Sequence, residues 1–253
     1  MVQKKGATMT EREWQTCADP KPMLKFLRGK GSDRKLRLFA VACHERIWHF
    51  LNDKEDCRKT IQFAERFADG LATRNELHGR AWGKPGSVFS VVLYKAWDAA
   101  KNSLEFGAGA AKEAVLRMDP EKYKEREDAL NAAWENHRLG EAMQIADAAM
   151  PTEWMAKGIS AWTEERSGQC ELLREILGSL SFRSLNLDPS SLAPNVKVVA
   201  QAIYDDRAFE RMPELADALE EAGCDNEEIL SHCRGLGPHV RGCWVVDLVL
   251  GKA

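Results

Sequence analysis

The sequence predicts an all-α protein, in which a helical bundle is joined to a compact C-terminal helical module. Apolar residues recur at spacings of three and four almost throughout the chain, which is typical of amphipathic helices. Residues suited to beginning and ending helices stand between those segments. Hydrophobic residues make up 44% of the 253 positions and charged residues 30%, which is usual for a folded protein with a substantial core.

The helical bundle is predicted over residues 9–176, after residues 1–8, which we interpret as an extension or a disordered segment. Ser32 or Asp33 is suited to cap its first long helix. A second amphipathic segment follows over residues 61–71. The apolar face of the first long helix consists of Leu36, Phe39, Ala40, Cys43, Ile47, Phe50 and Leu51.

The middle of the bundle is predicted to contain one buried helix and one helical hairpin. Residues 85–107 are apolar and long enough to favour a buried helix over a strand. Residues 119–150 are rich in Ala, Glu, Lys and Arg, and Pro120 suits the first turn of a helix. We expect this hairpin to turn near residues 136–140.

Residues 177–194 are rich in Ser, Gly and Pro without a sustained period, which predicts a linker. The C-terminal module is predicted over residues 195–253. Pro213 suits a first helical turn, Gly223 a position just past a helix end, and Asp225 a helix cap. Its four predicted helices cover residues 195–205, 213–222, 226–234 and 238–250.

Thiol and imidazole side chains are concentrated near the C-terminus. Cys224, His232, His239 and Cys243 are candidate metal ligands, because Zn²⁺ takes four such donors in a tetrahedral site. His239 and Cys243 are four residues apart and would share a helix face. In the first turn of that helix, the dipole would favour the neutral, ligand-competent form of His239.

Two other interpretations of this cluster stay open. No CxxC pair occurs, and cysteine is often buried as a small apolar residue, which favours core cysteines with hydrogen-bonded histidines and no cofactor. Alternatively, Cys243 is a catalytic thiol activated by His239. No nucleotide-binding, hydrolase or kinase motif accompanies the cluster.

The last predicted helix also carries Trp244 and Asp247 among apolar residues. A carboxylate in a buried helix needs a partner, and Arg234 or Arg241 is the nearest candidate along the chain. Such an Arg–Asp pair beside a tryptophan either binds a ligand or fixes the helix in the fold.

A basic segment near the N-terminus is a candidate for nucleic-acid binding through phosphate contacts. No recognition-helix pattern or aromatic stacking surface accompanies it, so we expect a charged surface instead. The candidate contacts are Lys25, Arg28, Lys30, Arg34, Lys35 and Arg37.

Charge and cysteine content bear on compartment and partners. Residues 1–50 carry 11 basic and 5 acidic residues, whereas residues 201–253 carry 5 and 11, an asymmetry that can attract a partner or join the two ends. Seven scattered cysteines favour reduced thiols in a cytoplasm. No segment approaches the roughly 18 apolar residues of a membrane span, so no membrane association is expected.

Two long strings resemble a known family. MTEREWQTCADPKPMLKFLRGKGSDRKLRLFA, at the start of residues 9–72, and HCRGLGPHVRGCWVVDLVLGK, at the end of residues 168–253, are similar to a large planctomycete family of uncharacterised, highly duplicated proteins. AIYDDRAFERMPELADALEEAG is loosely similar to the planctomycete repeat-companion domain. The resemblance implies a bacterial protein and no particular activity. Val41 and His44 stand where that family has thiols.

These observations together predict a non-enzymatic interaction or adaptor protein with a protein partner. The first alternative is a metal-binding or thiol-dependent enzyme that uses the C-terminal cluster. The second is nucleic-acid binding through the basic segment. Candidate anchors for a protein partner are Trp14, Trp82, Trp154 and Trp162.

Overall fold

A computed structural model of the chain describes residues 8–47, 54–73, 76, 95–134, 138–178, 182, 187 and 192–252. These residues form helices, turns and loops without a β-strand, which confirms the predicted all-α class. The predicted extension lies outside them, apart from its last residue. The α-helices are α1 (Glu11–Thr16), α2 (Pro20–Phe26), α3 (Asp33–Arg46), α4 (Lys54–Ala68), α5 (Ala96–Leu116), α6 (Pro120–Trp134), α7 (Leu139–Ala148), α8 (Thr152–Leu177), α9 (Pro194–Asp206), α10 (Met212–Glu221), α11 (Glu227–Arg234) and α12 (Trp244–Leu250).

Helix α3 lies at the centre of the bundle and packs against α4, α5 and α8. Ser32 is its N-cap, as one of the two sequence alternatives predicted, because the serine hydroxyl accepts the backbone N–H of Lys35 at 3.2 Å. Most of the helix is buried. One of two large apolar clusters in the described residues forms around it and consists of Trp14, Met23, Leu24, Phe26, Leu27, Leu36, Phe39, Ala42, Cys43, Ala96, Ala100, Leu104, Cys170, Leu172, Leu173, Ile176 and Leu177.

Helices α5 and α8 complete the bundle and pack along each other. The predicted helix 85–107 is described only from Ala96, where α5 begins, and α5 continues to Leu116. Helix α8 spans 26 residues and reaches from the hairpin to the end of the bundle. Its last turn carries a buried Glu175 beside the apolar cluster.

Helices α6 and α7 pack against each other as the predicted hairpin. Of the turn expected near residues 136–140, positions 136 and 137 lie outside the described residues. Pro120 begins α6, as the sequence predicted. Few residues of this hairpin are buried, so polar contacts to α5 contribute much of its attachment. The buried residues of the two helices are Arg126, Ala133, Ala142 and Ala146.

The residues of the predicted C-terminal module form four α-helices, as predicted, and a 3-10 helix at Phe209–Arg211, but the last α-helix begins later than expected. Pro213 lies in the first turn of α10, and Gly223 follows that helix with a φ of 89°, a left-handed backbone that favours glycine. Asn226 caps α11, not the predicted Asp225. Helix α12 begins at Trp244, because residues 238–243 form a loop with a turn at 241–242, where Gly242 has a φ of 95°.

A second apolar cluster holds the module together and is separate from the one around α3. Of the predicted linker 177–194, Phe182 stacks on Phe26 in the bundle, whereas Leu187 and Leu192 pack against the module. The buried members of the second cluster are Val196, Ala200, Ile203, Tyr204, Met212, Leu215, Ala216, Ala218, Leu219, Ile229, Leu230, Cys233, Cys243, Trp244, Val245, Val246 and Val249.

Candidate metal-binding site

Four potential ligands converge where the C-terminal module meets the end of α8. They are Glu175, His232, His239 and Cys243, and their donor atoms all lie within 4.8 Å of one another. Glu175 Oε2 is 3.3 Å from His232 Nε2, and Glu175 Oε1 is 3.2 Å from His239 Nδ1. Cys243 Sγ is 3.2 Å from His232 Nε2. The structure therefore brings three of the four sequence candidates together and adds a carboxylate.

Each ligand comes from a different part of the fold. Glu175 lies in the last turn of α8 and His232 on α11. His239 lies in the loop between α11 and α12, and Cys243 is the residue just before α12. The prediction that His239 and Cys243 share a helix face is therefore wrong, as is the placement of His239 in a first helical turn. Both still reach the cluster because the loop folds back onto α8.

Cys224, the fourth sequence candidate, is not a member of the group. It lies just after α10, where its backbone N–H donates to the carbonyl of Leu219 at 2.9 Å, and its side chain packs against the module's apolar cluster. Glu175 was missed because it lies 57 residues before His232. The one indication of Glu175 in the sequence is its position three residues after the apolar Leu172, which places a carboxylate on the buried face of a helix.

Hydrogen bonds fix the proton positions on both imidazoles. The indole N–H of Trp244 donates to His232 Nδ1 at 3.2 Å, so the neutral His232 ring carries its proton on Nε2, which faces Glu175 and Cys243. His239 Nε2 lies 3.1 Å from the carbonyl oxygen of Gly235 and must donate to it. His239 Nδ1 then faces the carboxylate of Glu175.

Burial and the Glu175 charge set the pKa values of the cluster. Burial and the nearby carboxylate raise the pKa of the Cys243 thiol well above its usual value. Burial lowers the pKa of His232. Burial also opposes a charge on His239, but the hydrogen bond and charge of Glu175 outweigh it and raise the pKa of that ring. In the absence of a metal, these directions favour a neutral thiol at Cys243 and a neutral ring at His232, and they favour a proton on His239 beside Glu175.

A cavity of about 380 Å³ lies over this cluster and connects it with solvent. Its lining includes the buried Glu175 and Trp244, the partly buried His232, His239 and Arg174, and the exposed Glu171. Cys243 is fully buried beneath the histidines. The cavity therefore gives a small solute access to the carboxylate and the imidazoles.

The predicted partners of Asp247 are wrong. Its carboxylate accepts from Arg34 Nη1 at 2.7 Å and Nη2 at 3.0 Å, and it pairs with Lys35. Lys35 Nζ also donates to the carbonyls of Ile176 and Gly242 at 2.9 and 2.8 Å. This buried ion cluster joins α3 to α12, so it fixes the last helix to the bundle.

The two arginines expected beside Asp247 bind other carboxylates. Arg234 pairs on the surface with Glu220 at 2.6 Å and Asp217 at 3.1 Å. Arg241 lies 3.3 Å from Asp69 and stacks over the ring of Tyr204.

Trp244, the other candidate for ligand binding, is buried, with its ring against Gly178 and its N–H on His232. The ring also lines the cavity.

The basic segment divides into an exposed and a buried half. Lys25, Arg28 and Lys30 are exposed, and the last two lie over the rings of Trp97 and Phe26.

In the other half, Arg34 and Lys35 are occupied by the ion cluster, and Arg37 is buried with its guanidinium over the ring of Phe67. Half of the proposed phosphate contacts are therefore committed inside the protein.

Of the candidate tryptophan anchors, Trp14 and Trp154 are buried and belong to apolar clusters. Trp162 is partly buried, and the guanidinium of Arg166 lies over its ring. Trp82 lies outside the described residues.

Within the described ranges, every helix is too short or too polar to cross a bilayer. Comparisons of the chain with models of protein families, with curated proteins and with solved structures found no match.

Proposed function

We propose that this chain is a non-enzymatic interaction protein that binds a protein partner through the α6–α7 hairpin. The observation that carries the proposal is a set of large apolar side chains on and beside that hairpin that the fold leaves exposed. Trp134, at the end of α6, is 53% exposed, Leu139, at the start of α7, is 52% exposed, and Ile145 on α7 is 43% exposed. Met118, two residues before α6, and Ile159, on α8, are also exposed.

The polar attachment of the hairpin supports this proposal. Arg126 donates to Asp147 at 2.6 Å and to Glu113 at 3.1 Å, and Lys112 pairs with Asp147 at 2.6 Å. These contacts position the hairpin on α5 without using its large apolar side chains. Single exposed apolar residues are normal, but tryptophan, leucine and isoleucine concentrated on one hairpin favour a binding surface.

Thiol-dependent catalysis and nucleic-acid binding have less support. Thiol catalysis needs an accessible thiolate, whereas Cys243 is fully buried with a raised pKa. Its close imidazole is His232, whose Nδ1 accepts from Trp244, and not the expected His239. Nucleic-acid binding would rest on Lys25, Arg28 and Lys30 alone. Membership of the planctomycete family stays a prediction.

Comparative affinity capture from the native host tests the proposal. Wild-type protein is compared with a Trp134→Gln/Ile145→Gln variant, and with a Val198→Gln/Leu236→Gln control that changes two exposed apolar residues elsewhere. We expect one protein to be captured by the wild type and the control and lost from the hairpin variant. Equal capture by all three, or no specific capture by the wild type, would contradict the proposal.

A further inference from the structure

We propose that Glu175, His232, His239 and Cys243 bind one Zn²⁺ ion, which ties the end of α8 to the C-terminal module. This site is separate from the hairpin surface and does not depend on the proposed interaction. It requires that Cys243 and His239 lose a proton each, that His232 moves its proton from Nε2 to Nδ1, and that the adjacent side chains adjust slightly.

The distances between the donor atoms fit a tetrahedral zinc ion. With Zn–N and Zn–O bonds of about 2.0–2.1 Å and a Zn–S bond of about 2.3 Å, donor atoms in a tetrahedron lie roughly 3.3–3.6 Å apart. His232 Nε2 lies 3.2 Å from Cys243 Sγ and 3.3 Å from Glu175 Oε2, and His239 Nδ1 lies 3.2 Å from the other carboxylate oxygen, Oε1. With one donor atom taken from each residue, no pair exceeds 4.8 Å. Side-chain adjustments of about an ångström, without a change of fold, therefore complete the site.

The ligand types also favour zinc over a hard cation. One thiolate, two imidazoles and one carboxylate form a mixed set of borderline donors, whereas Mg²⁺ and Ca²⁺ prefer oxygen ligands alone. Binding of Zn²⁺ displaces the thiol proton of Cys243 and the Nδ1 proton that His239 shares with Glu175, and both protons leave to solvent. The cavity above the cluster supplies the path for the ion.

Hydrogen bonds from neighbouring groups leave the metal-facing nitrogen of His239 available to the ion, but they hold His232 in the tautomer that cannot bind it. His239 donates Nε2–H to the carbonyl of Gly235, which leaves Nδ1 for the ion, an arrangement common around bound metals. His232 can coordinate through Nε2 only when its proton moves to Nδ1. Because Trp244 N–H now donates to that Nδ1, zinc binding must break this hydrogen bond.

Zinc titration of metal-free full-length protein tests the site, with a chromophoric chelator as competitor. We expect one Zn²⁺ per chain and a zinc-dependent rise in the unfolding temperature. Cys243→Ser removes a ligand itself, so it should lower the zinc affinity by more than the roughly 10–100-fold that is lost when a residue hydrogen-bonded to a ligand is replaced. The matched control is Cys233→Ser, because that thiol is equally buried in the same module but lies outside the cluster.

Three results would overturn the proposal. They are a folded wild-type protein that binds no stoichiometric zinc, equal loss of affinity in Cys243→Ser and Cys233→Ser, and an unchanged or weaker affinity in Trp244→Phe. Removal of the competing indole donor should instead strengthen binding roughly fivefold, the value of one net hydrogen bond. If Cys243→Ser fails to fold by circular dichroism, His239→Gln at a partly exposed position makes the same comparison.

Discussion

Replacement of Asp247 by asparagine should lower the free energy of unfolding by about 3–5 kcal/mol, as expected when one member of a buried ion cluster is removed. Asp247 and Lys35 are both almost fully buried. After the substitution, Arg34 keeps Asp69 at 2.9 Å, but Lys35 keeps only two backbone carbonyls. The penalty therefore falls mainly on the buried ammonium group.

The charge on Lys35 also sets an upper limit to this effect. Burial already lowers the pKa of Lys35, and without Asp247 the side chain can escape its penalty by losing a proton. Deprotonation at pH 7 of a lysine whose pKa is 10.4 in the unfolded state costs about 5 kcal/mol. A larger loss of stability would therefore indicate a rearrangement beyond this ion cluster.

Urea unfolding followed by circular dichroism measures the effect at pH 7. The control is Asp217→Asn, which removes an exposed partner of Arg234 and should change stability by no more than about 0.5 kcal/mol. Adding Lys35→Met to Asp247→Asn should recover stability, because it removes the stranded charge. The reasoning fails if Asp247→Asn costs no more than Asp217→Asn, or if Lys35→Met gives no recovery.

Three further predictions concern a glycine, a buried histidine and the thiols. Gly178→Ala should cost about 3 kcal/mol or more in urea unfolding, because its Cβ would lie 2.6 Å from the buried indole and its φ of 52° with a ψ of −148° favours glycine. Gly109→Ala, in an open helical position, should instead stabilise by about 0.5–1 kcal/mol, and the opposite order would refute the packing. Burial lowers the pKa of His44 to about 4. Between pH 6.5 and 4 the unfolded state therefore binds a proton at this position that the folded state does not. The free energy of unfolding should fall by about 3 kcal/mol as the pH falls through that range. Parallel pH titrations of unfolding should show this loss reduced in His44→Gln, and identical slopes would contradict it. Iodoacetamide should modify Cys17 in the native protein much faster than the buried Cys243, as peptide mass spectrometry can measure, and preferential labelling of Cys243 would show an exposed thiolate instead.

Periodicity and capping residues predicted most of the helices. Ser32 and Pro120 were placed correctly because a cap acts on backbone N–H groups within one turn of itself. The short helices α1 and α2 were not predicted. Helix α8 was not predicted as one continuous helix. The start of α12 was predicted six residues too early, because Pro238 also suits a first turn and Gly242 was not recognised as a break.

Contacts over long sequence distances explain the other differences. Asp247 was assigned to nearby arginines, whereas Arg34 lies 213 residues away along the chain. Glu175 lies beside the histidines only because the end of α8 packs against the C-terminal module. Residue types close together in the sequence therefore predicted some members of both clusters. The members that complete them, Arg34 and Glu175, depend on how the helices pack.

The ammonium group of Lys35 makes the bundle and the C-terminal module depend on each other. Its ligands come from α8, from Gly242 and from Asp247, so neither half alone supplies a complete environment for this charge. The C-terminal module is therefore a poor candidate for transplantation onto another scaffold. Two fragments made by cleavage within residues 177–194 should instead reassociate, since joining restores the lysine's neighbours.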